Sequence, residues 1–411
     1  MSLKNILAVA LGIFSAIGGF VDIGDLVFNT QAGATFGFQL LWVVVVGVLG
    51  IIVYSEMCGR VSAVSERPVF DLVRERTGFG AGLATLIASE IVNLMTCAAE
   101  IGGVAICLQL LSGLPYRVLI PLAVVALAVS SWVLPFRWIE RLFGYLGLCL
   151  LVFAVAAIKL HPDWGRVAHG LIPGSHVGGS TAVYLYFVVG LIGAAMTPYE
   201  VYFYSSGGIE EEWGLKDLLT NRVTAILGMG LGSLLAMSIL ASSAQLFGPA
   251  SVDPEIPGTA ALGAAIPFGK WGLILALLGM FFAVAGAAVE TCMANAYSLS
   301  QFFGWEWGRH AKPSEAPRFT VAWIAVMLLA LLIVLTGVDV MSLVEYAVLF
   351  SIIVLPLTYL PLMLLANDKS YMREHANKWL AKSLGWLFFI IVTAAAIAAI
   401  PLYLLTSGGG G

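Results

Sequence analysis

The chain reads as an all-α polytopic membrane protein with eleven transmembrane helices, the first and sixth of them interrupted. Three observations predict this. Of the 411 residues, 60% are apolar and only 11% charged, where a soluble domain carries about 25% charged residues. Apolar stretches long enough to cross ~30 Å of hydrocarbon recur along the whole length. Two of those stretches, five helices apart, hold residues that are costly in lipid: Asp22-Ile23-Gly24-Asp25 and Met196-Thr197-Pro198-Tyr199-Glu200. The mean hydropathy of +0.97 excludes a soluble enzyme and a nucleic-acid binder. The net charge of -4 says little, because placement matters more than the sum.

The spans fall at 6–36, 39–63, 80–112, 117–135, 138–159, 181–207, 218–247, 271–303, 317–337, 340–366 and 382–406. Their connections test the assignment. With the N-terminus in the cytoplasm, only Arg117, Lys159, Arg166 and Lys270 fall in outer loops, which leaves 16 of the 20 lysines and arginines (20 − 4) inside. That bias follows the positive-inside rule and places the C-terminus outside. Connections such as 113–116 and 136–138 leave no room for a soluble domain, so 1–411 is one transmembrane domain. The five cysteines include no CxxC pair and read as small buried hydrophobes. The stretch after Lys4 runs into the Asp22 break without an A-x-A-like site, so no cleavable signal is expected.

The first break carries the most information. Ile6 to Val21 and Leu26 to Gly37 contain no charge, yet two aspartates flank Gly24 between them. Paired carboxylates in lipid are expensive and mark function. A cation is the partner that satisfies both. The glycine predicts locally unwound backbone, tolerated in a membrane beside a cavity or within protein. In the sixth span Pro198 removes a backbone donor and clashes with the preceding turn. Breaks at matching positions of two five-helix halves point to an inverted repeat with a site at the midplane. The halves are about 1–160 and about 178–367, with about 380–406 as an additional helix.

The run Asp22-Ile-Gly-Asp25, followed by Gln31-Ala-Gly-Ala-Thr-Phe-Gly37, resembles the D-P-G-N and Q-A-G-A-x-F-G signature of the NRAMP divalent-metal transporters. Thr197-Pro198-Tyr199-Glu200, with Tyr202 and Ser205 after it, resembles that family's sixth-helix M-P-H-N-L-Y-L-H-S. Glu100, in Thr96-Cys97-Ala98-Ala99-Glu100, matches the glutamate of its third-helix T-D-x-A-E pattern. The resemblance covers the whole chain in span count and is sharp in these three helices. It implies a LeuT-type 5+5 inverted repeat with discontinuous helices 1 and 6.

The departures matter as much. Asp25 stands where the family has asparagine, Thr197 where it has methionine, Tyr199 where it has histidine, and Cys97 where it has aspartate. This pattern is similar to the NRAMP-related magnesium transporters. The resemblance implies a metal site of Asp22, Asp25 and Thr197 with freed carbonyls of Ala194 and Gly19.

Each residue also has a plainer reading. Aspartates cap helix starts, although one cap does not need two carboxylates. A threonine hydroxyl in a helix commonly bonds a backbone carbonyl, and a one-residue shift would put the Met196 thioether at the site. Glu200 either lines the cavity or bonds the unwound backbone. Glu100 either lies on the intracellular path or pairs with a buried polar partner. Tyr199 and Cys97 are pathway positions. Glu90, Glu290 and Glu345 are ionisable groups within spans without a placement. The five histidines, at 161, 169, 176, 310 and 375, all fall between spans, so none serves as a membrane-embedded proton relay.

The expected function is secondary transport of divalent cations into the cell, Mg2+ first and Mn2+ also, without proton coupling. Two aspartates, a hydroxyl and carbonyls suit Mg2+, which keeps waters and takes one or two carboxylates. The ion is cargo, not a resident cofactor. The alternatives are a proton-coupled Mn2+/Fe2+ symporter and, from another class, a polytopic membrane metalloenzyme. The latter needs a His/Glu metal set, and no H-E-x-x-H motif exists. The expected partners are the ion and the plasma-membrane bilayer, with no nucleic acid, and the expected state is a monomer.

Overall fold

The computed structural model describes residues 21–133, 136–174, 180–250, 252, 254, 256–309 and 311–409, and among them every regular element is a helix. The elements are α1 (Ile23–Phe36), α2 (Leu41–Ser65), α3 (Val69–Thr77), α4 (Phe79–Ser112), α5 (Tyr116–Val133), α6 (Phe136–Gly147), α7 (Leu151–Lys159) and α8 (Trp164–Gly170). They continue as α9 (Thr181–Ala195), α10 (Pro198–Glu210), α11 (Leu218–Ala250), α12 (Leu262–Phe303), α13 (Pro317–Leu335), α14 (Val340–Asn367), α15 (Lys369–Met372) and α16 (Trp379–Thr406). Ten segments among the described residues are long and apolar enough to span a membrane. The expected eleventh, the first span, is described only from residue 21, and its earlier part, with Gly19, lies outside the described residues.

α1 lies at the centre, packed against α11, α9 and α14. Its fit depends on small residues. A Cβ on Gly33 would collide with the Leu240 carbonyl of α11, the close backbone approach that small residues permit between membrane helices. The longest element, α12, is kinked where Gly269 adopts φ +62°, a conformation glycine takes without steric penalty. The apolar segment runs Pro257–Phe303, starting earlier than the expected 271–303. The pair 138–159 is also bent, by a 3₁₀ turn at Leu148–Leu150.

The additional helix α16 packs on α14, α9 and α2. Tyr54 Oη donates to the Gly385 carbonyl at 2.8 Å, and the Tyr54 ring stacks on Tyr359 of α14 with centroids 3.9 Å apart. At the end of the bundle holding α3, Arg309 and Glu210 form a buried ion pair at 2.6 Å, with side-chain exposures of 4% and 7%. The Tyr297 hydroxyl donates to the same carboxylate at 2.8 Å.

Candidate functional site

The sixth-span break appears as expected. α9 ends at Ala195, Met196 and Thr197 leave the helical region, and α10 starts at Pro198. Proline at the first helical position needs no hydrogen bond, since that amide is orphaned anyway. Thr197 and Glu200 have the T-x-x-E spacing of a reciprocal cap, but Thr197 makes no cap bond. Thr197 Oγ1 and Glu200 Oε2 are both buried without a hydrogen-bond partner. Orphaned buried oxygens are rare in folded proteins, and here two stand at one helix start.

At the first break the backbone differs from the expectation for Gly24. That glycine is helical, in the first turn of α1; its requirement is space. A Cβ there would lie 3.0 Å from Asp22 Oδ1, 3.0 Å from Val348 Cγ2 and 3.8 Å from Ala194 Cβ. Gly24 thus lets α1, the last turn of α9 and α14 converge, which puts Ala194, with a carbonyl at a helix end, next to the aspartates.

Asp22 is the N-cap of α1. Its backbone is extended (φ −86°, ψ 179°) and its Oδ1 accepts from the Asp25 amide at 2.8 Å. The capping reading is correct for this residue, and the carboxylate also lines a cavity. Asp22, Thr96, Thr197 and Ser351 are that cavity's polar residues, with Gly193, Val344 and Val348 among its walls. Ser351, on α14, was not recognised from sequence. Its hydroxyl is buried and unpartnered, and a hydroxyl among apolar neighbours in mid-span is the signal that could have found it.

Asp25 also borders open space. It lines a second cavity with Glu200 and Ser233, walled by Val44, Ile51, Ala195, Met229 and Ala236. The Asn29 amide donates to the Asp25 carbonyl at 2.9 Å and to its Oδ1 at 3.3 Å. Two cavities thus meet the first turn of α1, one lined by Asp22 and Thr197 and the other by Asp25 and Glu200.

Glu100, fully buried on α4, accepts from the Ile23 amide through Oε1 at 3.1 Å, and its Oε2 has no partner. Cys97, on the same helix, points its thiol at the Ala288 carbonyl of α12, 3.7 Å away. Tyr199 is fully buried with an unpartnered hydroxyl. The Met196 thioether lies against α2: a Cβ on Gly50 would be 2.6 Å from its sulfur. It is not among the cavity residues. No cluster of three or more His, Cys, Asp or Glu side chains suited to a metal exists among the described residues.

Within a helical membrane bundle, the break before Pro198 and the start of α1 meet at buried carboxylates, the arrangement of a LeuT-type transporter fold. The family model for natural resistance-associated macrophage protein-like (Nramp) proteins matches residues 12–401, and the chain belongs to that family. The divalent metal cation transporter MntH of Deinococcus radiodurans is 27% identical over 393 residues, 91% of this chain and 85% of the relative. The MntH of Levilactobacillus brevis is 26% identical over 407 residues, with 91% and 84% covered. Among solved structures, the manganese transporter of Eremococcus coleocola superposes with a TM-score of 0.81 at 20% identity, covering 95% of this chain and 85% of that one. Mhp1, a nucleobase-cation-symport-1 transporter, gives 0.55 at 14% identity, covering 97% and 92%.

Proposed function

We propose that this protein carries divalent cations across the plasma membrane, Mg2+ first and Mn2+ also, through the two broken helices and without proton coupling. The observation that carries the reading is the placement of Thr197 beside Asp22 in one cavity while the Met196 sulfur packs on α2. That leaves oxygen donors only: the Asp22 carboxylate, the Thr197 hydroxyl, the Ala194 carbonyl and Ser351, with the charge of Asp25 one turn along. Oxygen ligands suit hard ions, and a thioether would favour softer ones. The driving force is available without protons. A doubly charged ion gains about 4.6 kcal/mol from 100 mV, twice the ~2.3 per charge. In this reading the halves 1–160 and 178–367 form the inverted repeat, 380–406 is the additional helix, the N-terminus is cytoplasmic, and the monomer is the working unit.

A second reading, proton-coupled Mn2+ or Fe2+ symport, draws on the divalent-metal and manganese transporters among the similar proteins, and on kinship alone it stands ahead. The residues at 25, 97, 197 and 199 favour the first. Proteoliposomes holding a pH-sensitive dye separate them. Uncoupled uptake predicts Mg2+ and Mn2+ entry with no internal acidification tied to it. Acidification in fixed proportion to Mn2+ entry, with no Mg2+ entry, would establish the symporter.

A further inference from the structure

We propose that the hydroxyls of Ser89, Tyr202 and Thr358 form a neutral transit site on the cytoplasmic side of the helix breaks, which holds the departing divalent ion through its water shell. The proposal rests on the transport reading above and adds the step of release to it.

Three helices bring these hydroxyls together. Ser89 of α4, Tyr202 of α10 and Thr358 of α14 are buried, at 0%, 1% and 0% exposure, and the Tyr202 hydroxyl lies beside those of the other two. None of the three makes a hydrogen bond of normal geometry. Serine and threonine in helices commonly donate to the carbonyl one turn back. Neighbours on the same helices do so: Thr85 and Thr96 on α4, and Ser206 on α10. Ser89 and Thr358 forgo that bond. The hydroxyl of Tyr359, next along α14, is also buried without a partner. Orphaned buried oxygens are rare one at a time; this group is unused by the fold.

The placement follows from the ion site. By helical rise, Ser89 lies about 16 Å along α4 from Glu100, and Thr358 about 10 Å along α14 from Ser351. Both displacements run toward the end of the bundle that holds α3, where the Phe70 ring of α3 meets the Tyr202 ring with centroids 4.7 Å apart. With the N-terminus cytoplasmic, that is the inner end. An ion leaving Asp22 inward therefore passes Glu200 and then, further along α10, Tyr202.

The chemistry suits release. The three side chains carry no charge, so they hold a divalent ion far more weakly than a buried carboxylate does. Hydroxyls both donate to and accept from water, which matches an ion that keeps part of its hydration shell. Conduction needs sites that an ion can enter and also leave. Without these oxygens, an ion drawn off the aspartates would face an apolar wall.

The test separates binding from flux in the full chain. Thr358→Val and Tyr202→Phe remove hydroxyls with little change of shape, and since neither hydroxyl is bonded, neither variant should lower the melting temperature in detergent. Calorimetric Mn2+ affinity should stay at the wild-type value, while the maximal rate of Mn2+ uptake into proteoliposomes falls several-fold in each and further in the double variant. Ser89→Ala, on the third helix, should act in the same direction and covers the case in which Tyr202→Phe does not fold. Uptake at the wild-type rate in the folded variants would overturn the transit site and leave the hydroxyls to structural water. Affinity falling in step with rate would also overturn it, by making the hydroxyls part of the Asp22 site. Absence of Mg2+ and Mn2+ uptake by the wild type itself would sink the transport reading, and this proposal with it.

Discussion

The Glu100 carboxylate on α4 reaches across to accept the Ile23 amide at the start of α1, 3.1 Å away. That amide is one of four that a helix start leaves without an internal partner. A residue read from sequence as a pathway group or one half of a buried pair thus has a backbone partner and holds the first break in place. Glu100→Gln keeps a carbonyl oxygen for Ile23, whereas Glu100→Ala leaves a buried donor unsatisfied, at a cost of about 1–3 kcal/mol. Thermal unfolding in detergent should rank wild type and Gln together and Ala below. Equal midpoints for all three would show that the bond contributes nothing.

Asp22 serves as cap and as cavity wall, and two substitutions separate these roles. Asp22→Asn keeps an acceptor for the Asp25 amide but removes the charge; Asp22→Ala removes both, with ~1 kcal/mol of capping lost. Mg2+ and Mn2+ uptake should collapse in both variants, and only Ala should lower the melting temperature. Uptake at the wild-type rate in folded Asp22→Asn would place the ion elsewhere.

Selectivity should follow the side chain at 197. In the double variant Asp25→Asn with Thr197→Met, one charge is lost and a thioether enters the Asp22 cavity. Mg2+ rejects sulfur, and Cd2+ accepts it. Calorimetry should therefore show Mg2+ affinity falling and Cd2+ affinity rising by roughly an order of magnitude, about 1.4 kcal/mol. Tight Cd2+ binding by the unmodified chain, abolished by Met196→Ala, would mean that the Met196 sulfur leaves Gly50 and reaches the ion.

The Arg309–Glu210 pair is buried and also takes up the Arg309 amide at 2.6 Å. Removing one partner of such a pair costs about 3–5 kcal/mol, because the other charge stays buried. Glu210→Ala should lower the unfolding midpoint and open the 304–316 connection to limited proteolysis. Unchanged cleavage would show that other contacts hold that connection.

At the same end of the bundle, Arg67 at 2.8 Å and the Tyr371 hydroxyl at 3.1 Å hold the Glu75 carboxyl below its ordinary value of 4.5. A lowered carboxyl stabilises the fold fully above that ordinary value, and the contribution is lost as pH falls through the lowered one. Glu75 is half-exposed, at 49%, so the effect is small, under ~1 kcal/mol. Between pH 6 and 4, Glu75→Gln should track the wild-type melting temperature within a few degrees; a larger divergence would mean that the α3–α15 contact is worth more than a surface pair.

Much of this was readable from residue order, and the misses have identifiable causes. Spans and the Pro198 break follow from hydrophobic length and a missing amide, which are local properties. That Asp22 caps α1 from outside the helix was not readable. Residues three apart share a face only when both are helical, and Asp22 stands outside the helix in extended backbone. A glycine between two aspartates marks unwinding or close approach alike, and only the positions of Val348 and Ala194 distinguish the two. Glu100's partner lies 77 residues away, beyond any periodicity. The short amphipathic α3 was passed over because it is too polar to be a span and too short to stand out between two of them.

The unmade cap at Thr197 has a consequence for motion. Pro198 offers no amide and no side chain caps the turn that follows, so packing against its neighbours must hold the first residues of α10. Such a segment belongs to the low end of a protein's range of local opening free energies. Deuterium uptake in the ion-free protein should begin here, at Tyr199 and Glu200, while the interior of α12 remains protected for far longer. An ion drawing on the oxygens of Thr197 and Glu200 would slow that exchange, making the amides of α10 a clock for occupancy.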